Sequence, residues 1–195
     1  MEILNMEQQT EEWFAIRQLK MTASNATAIQ ANGSGLQTYL LELCADHLSI
    51  KDKDRFSSVH TDRGNELEAE ARIAYEFETG HKVEEVGFCV YDEYTGCSPD
   101  GFVNDDGLNE TKCPDDKEHL RLMFTKKIKP DYKHQMQMQM FVTGREWCDF
   151  VSYSPNFKKN IVIIRVARDP AAQEKIKIGL EAGKKLIKKI LEAAE

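Results

Sequence analysis

The chain has 195 residues, of which 41% are hydrophobic and 30% charged, with a formal net charge of −7; this suits one globular domain, 1–195, with a sizeable core. The longest β-like apolar run, Ile161–Ile164, is far too short to span a bilayer, and the N-terminal MEILNMEQQTEEW lacks the basic-then-apolar pattern of a secretory signal, so a cytoplasmic protein is expected. Five cysteines, at 44, 89, 97, 113 and 148, have no C-x-x-C spacing, which argues for reduced core thiols over a disulfide frame or a zinc site.

In chain order, residues 10–19 are predicted as a helix capped by Thr10, with Glu11 and Glu12 favourable at its start. Ser24-Asn25 is expected to cap a further helical turn, 32–35 to form a loop and Leu36–Leu48 a helix. Residues 51–62 are polar without a clear period. Arg63–Glu78 is predicted helical and stopped by Gly80, Lys82–Tyr91 is predicted as one strand, and a hairpin is predicted over 97–112. Helices are expected at 115–125 and 131–143, strands at Trp147–Tyr153 and Ile161–Ala167, and a long amphipathic helix from Asp169, with Ile176, Leu180, Gly183 and Ile187 along one side. The fold class is α/β: a small central mixed sheet flanked by helices.

Residues 96–114, GCSPDGFVNDDGLNETKCP, carry the chemistry. Pro99-Asp100 is followed, nine residues on, by Glu110-Thr111-Lys112. A hard Mg²⁺ ion takes oxygen ligands and retains waters; two carboxylates can supply the oxygens, and a nearby ammonium offsets charge developing on phosphorus. Glu110 and Lys112 share a strand face, while the Thr111 carbonyl remains within reach of the same ion. A four-residue loop at 104–107 would pair Gly101 with Glu110 and turn Asp100 to the opposite face. Convergence therefore requires a bulge at Gly101 or a different loop length.

Elsewhere two readings stay open for each candidate. Glu68, with Ala71, Arg72 and Tyr75 as its helical neighbours, is either an acid facing the hairpin or a surface partner of Arg72. In Tyr132–Val142, YKHQMQMQMFV, the methionines read as core; a glutamine beside them, with Gln135 and Gln139 at i,i+4, either binds phosphate or is plain polar surface. Arg17 offers a planar fork for phosphate and Ser24 a helix start for an anion, against a surface ion pair and a simple cap. The acidic balance weighs against a nucleic-acid partner, but part of the acidity would serve a metal. Basic residues also cluster at Lys126, Lys127, Lys129 and Lys133, and at Lys158 and Lys159.

The motifs W-x-x-x-R…T-A-S at 13–24, G-x-x-x-E-x-E-A-R at 64–72, C-S-P-D-G at 97–101, E-x-K-C-P at 110–114 and Q-x-Q-x-x-M at 135–140 together resemble the lambda-exonuclease (YqaJ-type viral recombinase) family of PD-(D/E)xK nucleases. The resemblance implies a restriction-endonuclease-like core and a Mg²⁺-dependent enzyme, with Mn²⁺ able to substitute and two ions in the site. Such an enzyme digests linear double-stranded DNA 5′→3′ to mononucleotides, and leaves 3′ tails for a single-strand annealing protein in phage-type recombination. It further implies a homotrimeric ring in a bacterial cytoplasm. By motif position Asp100, Glu110 and the Thr111 carbonyl would be metal ligands, Lys112 would hold the attacking water, and Glu68 would support the second ion. Arg17, Ser24, Ser98 and Gln135 would hold the 5′-terminal phosphate. The chain departs from the family at Asn109 and Thr111, which stand where apolar residues are usual and suggest a wetter strand face, and at Arg63, where an aromatic often precedes the glycine. The rival readings are a PD-(D/E)xK endonuclease, which would also cut closed circles, and a DNA-end-binding protein without catalysis.

Overall fold

The computed structural model describes residues 1–50 and 60–194, with 60–66 as backbone. The elements are β1 (Glu2–Leu4), α1 (Glu11–Ile16), β2 (Met21–Thr22), a single 3₁₀ turn (Ala23–Asn25), α2 (Ala26–Ala31), α3 (Ser34–Leu48), α4 (His60–Thr79), β3 (Val83–Glu84), β4 (Phe88–Asp92), β5 (Thr95–Cys97), β6 (Gly101–Val103), β7 (Gly107–Lys112), α5 (Asp116–Thr125), α6 (Pro130–Thr143), β8 (Trp147–Tyr153), β9 (Ile161–Ala167) and α7 (Pro170–Glu192). The mixed α/β architecture is the one expected, with its strands divided between two mixed sheets: a four-stranded sheet in the order β1-β4-β5-β2 and a five-stranded sheet in the order β3-β6-β7-β8-β9.

The stretch 82–91 differs from expectation. It is two strands: Val83–Glu84 pairs antiparallel with β6 in the larger sheet, and Phe88–Asp92 pairs with β1 and β5 in the smaller. Side-chain alternation reports an extended backbone but not which sheet it joins. The short strands β1 and β2 carry too few residues to show a period and were not expected from the sequence. The charged stretch 51–59 lies outside the described residues. Among the described residues no helix is long and apolar enough to cross a membrane.

Local signals place most helix ends. Thr10 accepts from the Trp13 backbone N–H, Asp115 from that of Glu118, and Asp169 from those of Ala171 and Ala172. Pro130 occupies the first turn of α6, where its missing N–H costs nothing. The Ser24-Asn25 cap is not formed: Asn25 precedes α2 without a side-chain cap bond, and Ser24 lies within the 3₁₀ turn.

Helix α6 is the centre of the molecule. Met136, Gln137, Met138, Gln139, Met140 and Val142 are all buried, because the helix touches β4, β5 and β8 on some sides and α2 and α7 on others. Such all-round burial explains why its sequence has so little amphipathic period. The larger core surrounds it, and a smaller cluster of Tyr75, Val103 and Val151 lies between α4 and the five-stranded sheet. Helix α7 packs the expected apolar side inward, with Ile176, Leu180, Gly183 and Ile187 buried together with Gly179. Cys44, Cys89, Cys97 and Cys148 are buried free thiols, and Cys113 is partly exposed.

Candidate active site

The conflict in the 97–112 hairpin is resolved by loop length. Gly101 pairs with Asn109, Phe102 with Leu108 and Val103 with Gly107, so the loop has three residues, 104–106. Asn104 takes the left-handed conformation, φ 52°, that asparagine tolerates. Gly107 belongs to the strand; a Cβ there would meet the Trp147 ring at 2.2 Å, so glycine is needed for close packing. Continuing the register by one step sets Asp100 opposite Glu110. No bulge at Gly101 is required.

Asp100 is anchored by its Oδ2, which accepts the Thr111 backbone N–H at 2.6 Å. An extended residue directs its N–H and C=O to the same edge, so the Thr111 carbonyl faces the Asp100 side. Glu110 is fully buried and held from three directions. Its Oε1 accepts from Gln135 Nε2 at 2.7 Å and from Lys112 Nζ, and its Oε2 accepts from Gln139 Nε2 at 2.6 Å. Oε2 therefore keeps a lone pair free for a further partner. A cleft of about 470 Å³ opens beside these groups, lined by Glu68, Arg72, Asp100, Asn109, Thr111 and residues 5–9 among others.

The electrostatics are those of a crowded acidic site. Burial pushes the Asp100 carboxyl well above the usual carboxylate range; Glu110 and Glu68 push it further, against Lys112 and the Thr111 amide. Burial also raises Glu68, which feels Lys112, Glu110 and Arg72. For Lys112, burial alone would lower the pKa, but Glu110 and Asp100 outweigh it and hold the ammonium above its ordinary value. The lysine is thus a fixed cation, suited to donating hydrogen bonds and offsetting charge, and unsuited to accepting a proton.

This donor set fits a hard divalent cation. Among the described residues no three acidic, histidine or cysteine side chains gather into a metal cluster. The oxygen donors present are the Asp100 and Glu110 carboxylates with the Thr111 carbonyl, and mutually repelling acids held in a buried site gain from a cation between them. Asp100 protonates above its unfolded-state value, so the proton it holds stabilises the metal-free fold at low pH, and this contribution is lost as pH rises toward the raised pKa. A cation replaces that proton only once it has left. Mg²⁺ is therefore expected to raise the melting temperature more at pH 8 than at pH 5; an equal shift at both, read by differential scanning fluorimetry, would contradict the assignment.

The phosphate candidates divide into two groups. The Trp13 indole N–H donates to Ser98 Oγ at 2.9 Å, and the Arg17 guanidinium lies 3.9 Å from the centre of the Trp13 ring. Trp13 so ties Arg17 to Ser98, two residues before Asp100. Among the described residues Arg17 has no carboxylate partner, and burial lowers its pKa against the opposing pull of Tyr39 and Cys97; a half-buried arginine without an acid partner is a ready anion site. Ser24 is exposed, with its Oγ 3.2 Å from that of Thr22. Gln135 does not stand free: it bonds Glu110. Glu68 is not paired with Arg72, whose guanidinium contacts Glu85. Asn109 and Thr111 are buried, with the Thr111 hydroxyl donating to Asn109 Oδ1 at 2.8 Å. The strand face is therefore drier than expected, because α4 covers it. The Arg63 side chain lies outside the described residues.

Two residues position the site in roles that the sequence did not assign to them. Gln139 had only its spacing from Gln135 to mark it. Gln8 had no local signal at all: its amide donates to Val86 O at 2.7 Å and Pro99 O at 3.1 Å, partners 78 and 91 residues away, and so holds the turn that presents Asp100.

Known proteins carry the same arrangement of elements. The crystal structure of LHK-Exo in complex with dAMP superposes with a TM-score of 0.85 at 39% identity, covering 95% of this chain and 96% of that one. A second structure of that alkaline exonuclease, from Laribacter hongkongensis, gives 0.80 at 37% identity over 95% and 98%. A phage-related exonuclease from Haemophilus somnus 129PT shares the fold, with a TM-score of 0.68 at 17% identity over 90% and 96% of the two chains. No curated protein sequence matches. The YqaJ-like viral recombinase domain matches residues 12–146, a span that contains Trp13, Arg17, Asp100, Glu110, Lys112 and both glutamines that grip Glu110, and the chain belongs to that family.

Proposed function

We propose that the protein is a Mg²⁺-dependent 5′→3′ exonuclease, acting on the ends of linear double-stranded DNA, releasing mononucleotides and leaving 3′ single-stranded tails. The observation that carries this reading is a buried Glu110 clamped by Gln135, Gln139 and Lys112, across the hairpin from Asp100. The dAMP held by LHK-Exo, a mononucleotide, agrees with the product.

Asp100, Glu110 and the Thr111 carbonyl would hold one ion, and Glu68 would support the water shell of a second; Mn²⁺ would substitute. When bound, the metal supplies Lewis acidity toward the scissile phosphate and lowers the pKa of the attacking water. The chain's own groups do the rest. Gln135 and Gln139 fix the Glu110 rotamer, so the carboxylate needs no reorganisation during the reaction. Lys112 stays charged, donates to the attacking water and offsets charge on the phosphate. Arg17, with Ser98, Ser24 and Gln135, would receive the 5′ phosphate, which would fix which end is digested.

Three copies in a ring would encircle the duplex, and the 3′ tail would pass to a single-strand annealing protein in the cytoplasm of a bacterial host. The test is release of label from linear duplex tagged at the 5′ or the 3′ end, in Mg²⁺ and in EDTA. Loss of the 5′ label first, only in Mg²⁺, is expected. Equal cutting of closed circles would favour an endonuclease, and tight end-binding without nucleotide release a scaffold. Arg17→Lys keeps the charge but loses the planar stack on Trp13. It is expected to raise KM for 5′-phosphorylated ends roughly tenfold, about 1.4 kcal/mol, with little change for 5′-hydroxyl ends; equal effects on both would remove Arg17 from the phosphate site.

A further inference from the structure

Strand β9 forms one margin of the five-stranded sheet and is bonded to β8 alone. The opposite margin, β3, is two residues long, whereas β9 pairs along all seven of its residues without a break in register. Just beyond its ends, the Arg168 N–H donates to Glu146 O and the Ser154 N–H to Asn160 O, so the even-numbered residues of β9 exchange bonds with β8. An extended residue directs its N–H and C=O to the same edge. Ile161, Ile163, Arg165 and Ala167 therefore turn theirs away from β8. The Ala167 carbonyl accepts from Gln137 Nε2 at 2.8 Å, while the outward N–H and C=O groups of Ile163 and Arg165 meet no partner among the described residues.

Exposed sheet margins are ordinarily blunted by lysine, proline or a bulge. The sequence of β9, IVIIRVA, has none of these. Its one charge is drawn off the margin: the Arg165 guanidinium bonds both Asp149 carboxylate oxygens at 2.9 Å and lies 3.5 Å from the centre of the Trp147 ring. What is left is an open template for another strand.

A cleft of about 550 Å³ adjoins this margin. Ile128, Pro130, Ile164 and Val166 give it an apolar lining, and exposed Lys126, Lys133 and Lys175 line it too. None of the three lysines has an acid partner among the described residues. The acids at the starts of α6 and α7 are held elsewhere: Asp131 accepts from the Thr27 hydroxyl, and Asp169 from the backbone N–H groups of Ala171 and Ala172. Gln30 Nε2, in the same lining, is a buried donor without an acceptor, a group that gains from a carbonyl or carboxylate oxygen.

We propose that β9 is extended by an acidic peptide strand from a partner protein, in which glutamate alternates with apolar residues. The peptide backbone completes the outward bonds of Ile163 and Arg165. Its glutamates lay their methylenes on the apolar lining of the cleft and carry their carboxylates to Lys126, Lys133 and Lys175. The other alternate set lies beside Ile161 and Ile163, on the opposite face of the sheet. Nucleic acid fits less well. A phosphate can accept an outward N–H but offers nothing to an outward carbonyl, and no phenylalanine, tyrosine or tryptophan lines the cleft for a base to stack on. A second copy also fits less well, because β9 paired with β9 sets two lysine-lined clefts on one face of the joint sheet. The cleft shares no lining residue with the one beside Asp100, so the proposal stands independently of the nuclease reading.

The test is fluorescence anisotropy of a labelled nine-residue peptide, glutamate alternating with valine, titrated with the full chain. Saturable binding is expected. Lys133→Glu/Lys175→Glu is expected to weaken it roughly tenfold or more. Ile163→Pro removes one outward N–H and leaves the ladder to β8 in place; a similar loss is expected. Melting temperatures check that both variants fold. Two backbone-methylated peptides need no variant: one is methylated on its valines, the other on its glutamates. Only one alternate set of N–H groups can face β9, so one peptide is expected to bind like the parent and the other to fail. Equal binding by both would show a cationic patch without strand pairing and overturn the proposal. An oligodeoxythymidylate that displaces the peptide at equal charge concentration overturns it in favour of DNA. Wild-type protein that ignores the parent peptide, its β9 inert or covered by a second copy, overturns it as well.

Discussion

Replacing Asp100 by asparagine is expected to reduce nucleotide release from linear duplex by roughly a thousandfold or more, the several kcal/mol attached to a metal-holding carboxylate in phosphoryl transfer. Asparagine is nearly isosteric. Its amide oxygen can take the Thr111 N–H bond that Oδ2 accepts at 2.6 Å, so the turn behind Pro99 is retained and only the charge is lost. The same substitution has an opposite consequence for stability. The Asp100 carboxylate is disfavoured first by burial and then by Glu110 and Glu68, so removing it is expected to leave the melting temperature in EDTA at neutral pH unchanged or higher. An inactive and undiminished fold, seen by single-turnover kinetics and circular dichroism, is the combined signature. Digestion at the wild-type rate would detach Asp100 from the chemistry; inactivity with a sharply lowered melting temperature would mean that the residue is structural.

Gly179→Ala is expected to cost about 3 kcal/mol, or ~6–12 °C in melting temperature for a domain of this size. Helix propensity alone gives the opposite sign, since alanine exceeds glycine by about 1 kcal/mol inside a helix. The structure reverses it: a Cβ at 179 would stand 1.9 Å from the Ile29 carbonyl oxygen. That oxygen is backbone, so α2 and α7 would have to separate around the buried Ile29, Ile176 and Leu180. Gly35→Ala is the control. It lies in α3 with nothing within 4 Å of the added carbon, and it is expected to be neutral or to stabilise by up to about 1 kcal/mol. Equal effects at the two sites in chemical denaturation would show that the α2–α7 approach is looser than drawn.

The acid–lysine half of the site was legible because its parts lie within thirteen residues. Asp100, Glu110 and Lys112 belong to one hairpin, and the alternation of β7 puts Glu110 and Lys112 on one face. Of the phosphate candidates, the chemistry of Arg17 and Ser24 marked them as possible anion groups, but Ser98 was named only through the resemblance. Arg17 meets Ser98 by way of Trp13, across 85 positions of sequence, and no local pattern announces a contact of that range.

Helix boundaries, the buried side of α7 and the acid–lysine set thus followed from the sequence by itself, because capping, helical periodicity and strand alternation act over a few neighbouring residues. Only the tertiary structure decided that the hairpin closes through three residues, that 82–91 serves two sheets, that Asn109 and Thr111 are covered, and that Gln139 grips Glu110. Each of these depends on which distant segment fills the remaining space and satisfies the remaining hydrogen bonds, and that choice is made by packing of the whole chain.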